Sequence, residues 1–410
     1  MTTASVIIVS RDRPAALIRC LTGVSQLQSA RFEVVVVADT AGIAAVQAAG
    51  WQNRIKLVAF EHANISEARN IGIQHAAGEV IAFIDNDAVP EPTWLARLIA
   101  PFDNPQVSAA GGFVRGRNGI SYQWRARDIR ADATSSKLTV PTEGATLRTG
   151  NLGLGTKTEG TNMAFRRSVL ASLGGFDPAF RFYLDETDLN LRLAEQGCVT
   201  AIVPLAEVHH GFAASDRRRG DRVPKTLFDI GASLAVFLRK HFAGDREARW
   251  RKEYAEQRNR LLRHMRDGRI EPRDVGRLLG TLQAGWNDGM ARSLAPLVSL
   301  AGPVSPFLEL RPDPAPGVHQ IVSVPRRRAR VGHQLAATLV QQGHRVSLYI
   351  FSITAVYHRV RFDPAGYWVQ DGGLFGKSER SDPIWRYWSR SARLQREVAR
   401  NAAVRDIDAH

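Results

Sequence analysis

The chain reads as an α/β protein built on a Rossmann-like, mostly parallel central sheet, and three observations lead there. Short β-branched runs alternate with stretches whose apolar residues recur at helical spacing, which implies right-handed βαβ units. The early strands end in polar clusters at Ser10, Asp39 and Asp85, so these clusters gather on one sheet edge. Ligands of open α/β sheets bind at that edge, outside the carboxyl ends of the strands.

The elements follow in order. Ser5 to Val9 is a buried strand, and Ser10 to Pro14 a polar loop whose proline suits the first turn of a helix carrying Leu17, Ile18 and Leu21. Val34 to Val37 is a second strand, Ile43 to Gly50 a helix and Ile55 to Phe60 a third strand. Asn64 to Ala77 reads as a helix with Asn64 or Ser66 as N-cap. The apolar run Val80 to Ile84 then ends in Asp85, Asn86 and Asp87, and Pro90 and Pro92 stop the strand. Two carboxylates at the end of a buried strand can reach one cation, and Mg²⁺ or Mn²⁺ takes such oxygen ligands. Asp87 as the cap of a turn is the plain structural alternative.

Eight glycines between Gly111 and Gly155 mark residues 105 to 160 as loop-rich. Thr161 to Arg166 reads as a strand, with a helix from Ser168 and a turn at Gly174 to Asp177. Asp185, Glu186 and Asp188 precede the helical run Leu189 to Ala194, where one acid is expected as cap and dipole partner, and Asp188 is assigned that part. Thr200 to Val203 is a short strand before His209 and His210. The basic loop Arg217 to Arg219 suits a solvated surface, a phosphate clamp or anionic lipid.

Composition bounds the chemistry. At 44% hydrophobic and 23% charged, the chain is globular, with room in 410 residues for a large domain and a smaller one. Two cysteines are too few for a disulfide framework and point to a reducing compartment. The first apolar run is too short for a signal peptide, and no apolar run is long enough to span a bilayer. The net charge of +15 favours an anionic partner: nucleotide phosphate, nucleic acid or an acidic membrane surface.

Several stretches together resemble inverting family 2 glycosyltransferases. They are SVIIVSRDRP, FEVVVVADT from Phe32, NISEARNIGIQHAAGEVIAFIDNDAVPEPTWL from Asn64, EGTNMAFRRSVLASLGGFD from Glu159, FYLDETDLNLRLAEQG from Phe182 and VPLAEVHHG from Val203. The resemblance spans roughly residues 4 to 215 and implies the GT-A fold. It implies that the loop Val9, Ser10, Arg11 holds the nucleotide base through backbone groups, with Asp39 hydrogen-bonding the base. Ala38 stands where the family often has a first aspartate, so the base stays open. The resemblance puts Arg69 near the base or phosphates and makes Asp85, Asn86 and Asp87 the family's Asp-x-Asp motif, with Asp87 the direct metal ligand. Asn162 becomes a donor contact, and His210 a ligand of the metal or a contact of the diphosphate. An inverting transfer needs a general base. Glu186 falls on the family's base position, with the two acids swapped here, and Asp185 is the other candidate.

These readings divide the chain into a GT-A catalytic domain over 1–225, a helical extension over 226–302, a proline-rich linker over 303–317 and a small α/β accessory unit over 318–410. In that last unit His319 to Pro325, Val331 to Gln342 and Arg345 to Phe351 form a βαβ-like unit, and Tyr357 to Trp388 is rich in aromatic and basic residues. The function implied is Mg²⁺- or Mn²⁺-dependent inverting transfer from a nucleotide-sugar, UDP first with dTDP or GDP as alternatives, to a glycan or lipid-linked acceptor in cell-surface polysaccharide synthesis. The expected location is cytoplasmic, peripheral on the inner face of the anionic membrane, with nucleic acid not the expected partner. The competing readings are a sugar nucleotidyltransferase, against which SRDRP lacks a Gly-rich loop, and an inactive basic membrane- or nucleic-acid-binding protein.

Overall fold

Alternate residues of the first strand are apolar toward opposite faces, Ala4, Val6 and Ile8 to one side and Ile7 to the other. Such a strand must be covered by helices on both sides. The computed structural model, which describes residues 2–28, 31–211, 215–311 and 317–407, shows that layering. In chain order come β1 (Ala4–Ser10), α1 (Pro14–Val24), β2 (Phe32–Ala38), α2 (Thr40–Ala48), β3 (Lys56–Ala59), α3 (Ile65–His75), β4 (Val80–Phe83), β5 (Ala88–Pro90) and α4 (Trp94–Ile99). Next are β6 (Val107–Arg115), β7 (Tyr122–Trp124), β8 (Arg127–Arg130), β9 (Ser135–Lys137), β10 (Thr146–Thr149), β11 (Leu154–Lys157), β12 (Met163–Arg166), α5 (Arg167–Ser172), α6 (Asp185–Glu195) and β13 (Val199–His210).

The main sheet runs β3-β2-β1-β4-β12-β6-β13-β10. β1, β2, β3, β4, β6 and β13 are parallel, while β12 and β10 run against them. This is the expected α/β arrangement with a mostly parallel sheet. Leu17 and Leu21 of α1 with Trp94 and Leu98 of α4 cover one face. Ala68 and Ile73 of α3 with Leu189 and Leu193 of α6 cover the other.

The loop-rich reading of residues 105 to 160 is corrected here. β6 is a nine-residue buried strand in the middle of the sheet. Its glycines answer to packing: a Cβ on Gly112 would lie 2.0 Å from the carbonyl oxygen of Ala206. β8, β9 and β11 form a second, antiparallel sheet. β13 is also longer than expected, with a register irregularity against β6 between Val203 and Glu207, around Pro204.

The helical extension consists of α7 (Phe228–His241), α8 (Arg246–Arg266) and α9 (Pro272–Ala291). α7 and α9 cross so closely that a Cβ on Gly285 would fall 1.9 Å from the Phe228 carbonyl oxygen. Trp250 of α8 stacks on Trp286 at 4.4 Å. Phe180, Leu184 and Leu191 of the first domain share this layer's core. Among the described residues no helix is long and apolar enough to cross a membrane.

The linker reading also changes. Residues 303–311 are a packed strap: Val304 N–H bonds the Gln74 carbonyl at 2.9 Å, Leu308 N–H bonds Glu33 Oε2 at 2.9 Å, and Leu310 N–H bonds the Phe32 carbonyl at 2.8 Å. Pro312, Pro314 and Pro316 lie outside the described residues. The C-terminal unit comprises β14 (His319–Pro325), α10 (Ala329–Gln341), β15 (Arg345–Ser352), β16 (Arg359–Asp363), β17 (Tyr367–Gly373) and α11 (Arg390–Arg405). Its sheet runs β14-β15-β17-β16, the first three parallel. It docks on the first domain through a shared cluster of Val89, Val360, Phe362 and Trp368. Polar contacts add to that: Gln26 Nε2 donates to the Gly366 carbonyl at 2.6 Å, and Thr93 N–H to that of Val404 at 3.1 Å.

Candidate active site

The Asp85–Asp87 turn is held from behind. Asn86 Nδ2 donates to Ser10 Oγ at 2.8 Å, and Ala88 N–H closes the turn on the Asp85 carbonyl at 3.0 Å. β5 then pairs antiparallel with the end of β13, His210 opposite Ala88 and His209 opposite Val89. Successive side chains on a strand face opposite ways. His210 therefore turns to the acidic turn, and His209 turns to Glu91 and Trp368.

His210 Nε2 lies 3.1 Å from Asp87 Oδ1 and 3.9 Å from Asp85 Oδ2, while Nδ1 bonds Gln123 Oε1 at 3.0 Å. The Gln123 bond orients the ring, as outer partners of metal-ligating histidines do. Ligand atoms of Asp85, Asp87 and His210 all fall within 4.8 Å of one another, so these residues fit a divalent ion. Arg13 stands 3.4 Å from Asp87, and Asp85 is one-third exposed toward the cleft. Burial works to lower the His210 pKa, but its bond to Asp87 and the two carboxylate charges raise it above the usual histidine range. Burial pushes the Asp85 carboxyl up against the pull of His210 and Arg69. A cation binding here must displace the His210 proton, so its affinity falls with falling pH.

Arg69 is buried on α3, over the Phe176 ring at 5.1 Å, and links two parts of the site. One guanidinium nitrogen pairs with Asp185, and another lies 3.7 Å from Asp85. Tyr183 and Leu184 take φ of 75° and 64°, a left-handed entry that is costly for side-chain residues. That sharp entry opens α6 directly on Asp185 and Glu186. Glu186 Oε1 meets Lys157 Nζ at 2.7 Å, and Lys157 also lies 3.6 Å from Glu159. Burial works to raise the Glu186 pKa, but Lys157 holds it well below the usual carboxylate range. Burial pushes Asp185 up, against Arg69. Glu159 is raised by burial as well, and its Oε2 has no hydrogen-bond partner among the described residues.

Lys157 and Glu159 escaped the sequence reading. The available signal was their i, i+2 spacing across the end of an extended run into the EGTN stretch, which in extended chain turns both to one side. Other expectations meet the structure differently. Asp39 caps α2 through Gly42 N–H at 2.8 Å and also accepts Asp12 N–H at 2.7 Å, which shapes the loop that carries Val9, Ser10 and Arg11. Asn162 is corrected from donor contact to internal brace: it is fully buried, accepting from Trp94 Nε1 at 2.8 Å and donating to the carbonyls of Phe113 and Ala206 at 2.9 and 2.8 Å. Asn86 spends its donor on Ser10 in the same way. Asp188 is no cap. It sits one turn inside α6, fully buried, with Arg192 at 2.8 Å, Lys240 at 2.7 Å and His241 at 2.9 Å. Arg217 pairs with Asp229 at 2.6 Å and lies over Phe182 at 4.0 Å, so it braces α7.

The far side of the site is a second ion pair. Glu91, directly after β5, receives both Arg405 Nε at 2.9 Å and Arg405 Nη2 at 3.0 Å, and also meets His209 Nε2 at 2.8 Å. All three are buried. The last helix of the chain thus grips the strand pair that carries Asp87 and His210.

Residues 5–174 match the family model described as Glycosyl transferase family 2. The O-antigen biosynthesis protein RfbC of Myxococcus xanthus is 28% identical over 256 residues, 57% of this chain and 19% of that protein. Glycosyltransferase AglE of Haloferax volcanii is 30% identical over 117 residues, 27% of this chain and 38% of that protein. The chain thus spans less than half the length of these relatives. A crystal structure of GalNAc-T7 with UDP, GalNAc and Mn²⁺ aligns with a TM-score of 0.43 at 19% identity, covering 58% of this chain and 48% of that one.

Proposed function

We propose, from the premise that residues 5–174 belong to glycosyl transferase family 2, that this protein is a metal-dependent inverting glycosyltransferase. It moves a sugar from a nucleotide-diphosphate donor, UDP-linked first, to a hydroxyl of a glycan or lipid-linked acceptor in cell-surface polysaccharide synthesis. The observation that carries this reading is the convergence of Asp85, Asp87 and His210, beside Arg13 and Arg69, at the carboxyl edge of the sheet. Two carboxylates and one imidazole suit Mn²⁺, and suit Mg²⁺ less well because of the nitrogen ligand. When bound, the ion neutralises charge on the leaving diphosphate.

The chain's own groups do the remaining work. Arg13 and Arg69 offer charge-assisted hydrogen bonds to phosphate oxygens. The backbone of Val9 to Arg11 and the Asp39 carboxylate hold the base. Glu186 takes the acceptor hydroxyl's proton while that oxygen bonds the anomeric carbon and the bond to the diphosphate oxygen breaks. Attack opposite the leaving group inverts the centre. Glu186 is favoured over Asp185 because Asp185 is only 3% exposed and committed to Arg69. Lys157 keeps Glu186 ionised until the acceptor hydroxyl takes its place.

The test is calorimetric titration with UDP, dTDP and GDP, with and without Mn²⁺. Binding by the native chain should require the ion and rank the three bases. Asp87→Ala should lose the metal-dependent component with its circular dichroism unchanged. Full metal-dependent affinity in that variant rejects the reading.

A further inference from the structure

The C-terminal unit has a ligand-binding edge of its own. β14, β15 and β17 are parallel and end together, Pro325 beside Phe351 and Ser352 beside Gly373. At those carboxyl ends lies an open groove of about 480 Å³, lined by Arg326, Ser352, Thr354, Tyr357, Arg359 and Asp371. This is the edge at which open α/β sheets bind ligands. The loop after β15 is drawn down to form one wall: Phe375 N–H bonds the Thr354 carbonyl at 3.1 Å, and His358 N–H bonds that of Lys377 at 2.8 Å.

From this groove we propose a second binding site, for a negatively charged saccharide, meaning a uronate- or phosphate-bearing stretch of glycan. The lining offers three hydroxyls, two guanidiniums and one carboxylate, so it can both donate to and accept from sugar hydroxyls. Arg359 stands across from Asp371 in the β16–β17 register, yet among the described residues no ion pair joins them, and Arg326 has none either. The guanidiniums therefore outnumber the acid and are available to an anion. α10 begins beside the groove with Arg327, Arg328 and Arg330, no acid in its first turn and no side-chain cap. Positive charge there opposes the helix dipole, and an anion in the groove offsets it.

Next to the groove stands an aromatic shelf. Phe375 stacks on Tyr387 at 5.8 Å and meets Trp385 at 6.0 Å. Tyr387 is 71% and Trp385 59% exposed, with Ile384 and Tyr357 close in exposure. Exposed clusters of this kind mark interaction sites. The C–H face of a pyranose ring packs on such rings while its hydroxyls reach the polar lining. A groove carrying Asp371 and hydroxyls fits a saccharide better than a flat anionic membrane, which needs only positive charge and apolar contact.

The site does not depend on the transfer reading, and one experiment separates the two. The full chain is titrated with trigalacturonate, maltotriose, inorganic phosphate, and phosphatidylglycerol-containing vesicles. Trigalacturonate should bind about tenfold or more tighter than maltotriose. The Arg326→Gln, Arg359→Gln double variant should lose about tenfold or more of that affinity. Both arginines are exposed, so the variant should fold. Asp87→Ala should leave trigalacturonate binding intact, and the double variant should keep Mn²⁺-dependent nucleotide binding. Equal affinity for the charged and neutral trisaccharides, no effect of the double variant, or binding confined to phosphate or to vesicles overturns the proposal.

Discussion

On the proposed mechanism, Glu186 and its partner Lys157 would set the dependence of transfer on pH. A carboxylate must be ionised to act as base, so transfer should fall as pH falls through the Glu186 pKa. Lys157 keeps that pKa low. Lys157→Met removes the pairing charge, the pKa rises, and the acidic limb of the rate profile should move to higher pH, while an unmoved limb assigns the base elsewhere. Glu186→Gln should lower acceptor transfer by roughly 10²–10⁴-fold at saturating donor, with donor affinity nearly unchanged. Were Asp185→Asn to stop transfer and Glu186→Gln not, Asp185 would be the base. Asp188 makes a different prediction from the one a capping role carries, which is a loss on the order of 1 kcal/mol or less. Fully buried itself, it is the carboxylate that Arg192, Lys240 and His241 share. Asp188→Asn should cost about 3–5 kcal/mol by denaturant melting, the scale for breaking a buried ion pair.

The β5–β13 pair is the element on which the site turns. His210 pairs with Ala88, next to Asp87, and His209 pairs with Val89, with Glu91 directly after the strand. α11 reaches that pair with Arg405, which lies over the Trp368 ring at 4.7 Å and bonds Glu91 in bidentate fashion. Arg405→Met keeps the apolar stem but leaves Glu91 buried without its guanidinium, with His209 as its remaining side-chain partner among the described residues. The expected result is weaker Mn²⁺ affinity together with a lower melting temperature, and Glu91→Gln in the same chain should restore part of both. An unchanged Mn²⁺ affinity in Arg405→Met would show that the strand pair holds its shape without α11.

Over the whole molecule, the unit over residues 318 to 410, read from the sequence as accessory, is docked on the first domain. That reading has a chain cut near Pro316 still binding donor. Such a cut would now strip the cover from Val89 and His209 and remove Arg405 from Glu91. The truncated chain should bind UDP with Mn²⁺ weakly or not at all, even where it stays soluble, and native affinity in it would return the unit to accessory status. Acid should loosen the same contact. Burial works to raise the Glu91 pKa, but Arg405 and His209 bring it from 4.5 down to about 2. A depressed acid lends stability that is complete above its unfolded pKa. That stability is lost as pH falls from about 4.5 toward 2. The native chain should therefore lose more stability over that window than Glu91→Gln does.

What the sequence determined by itself was local and periodic. The β-branched runs, the helical spacings, the polar clusters that end the strands and the order of the family-like stretches all act within a few residues of one another. They were enough to read the α/β fold, the Asp85–Asp87 turn and His210. Residues 105 to 160 resisted because the glycines of β6 looked like loop, when their absent side chains make room for β13 and the loop before β12. Tertiary structure alone decided which polar groups face the cleft and which are consumed in packing. Asn162 and Asp188 look like site residues in sequence and are buried braces, while Lys157 and Glu159 look ordinary and stand beside the acids. Nothing local could pair Glu91 with Arg405, 314 positions apart. That contact exists because the two α/β units bury a common apolar cluster, and a charge enclosed there has to find its partner inside the fold.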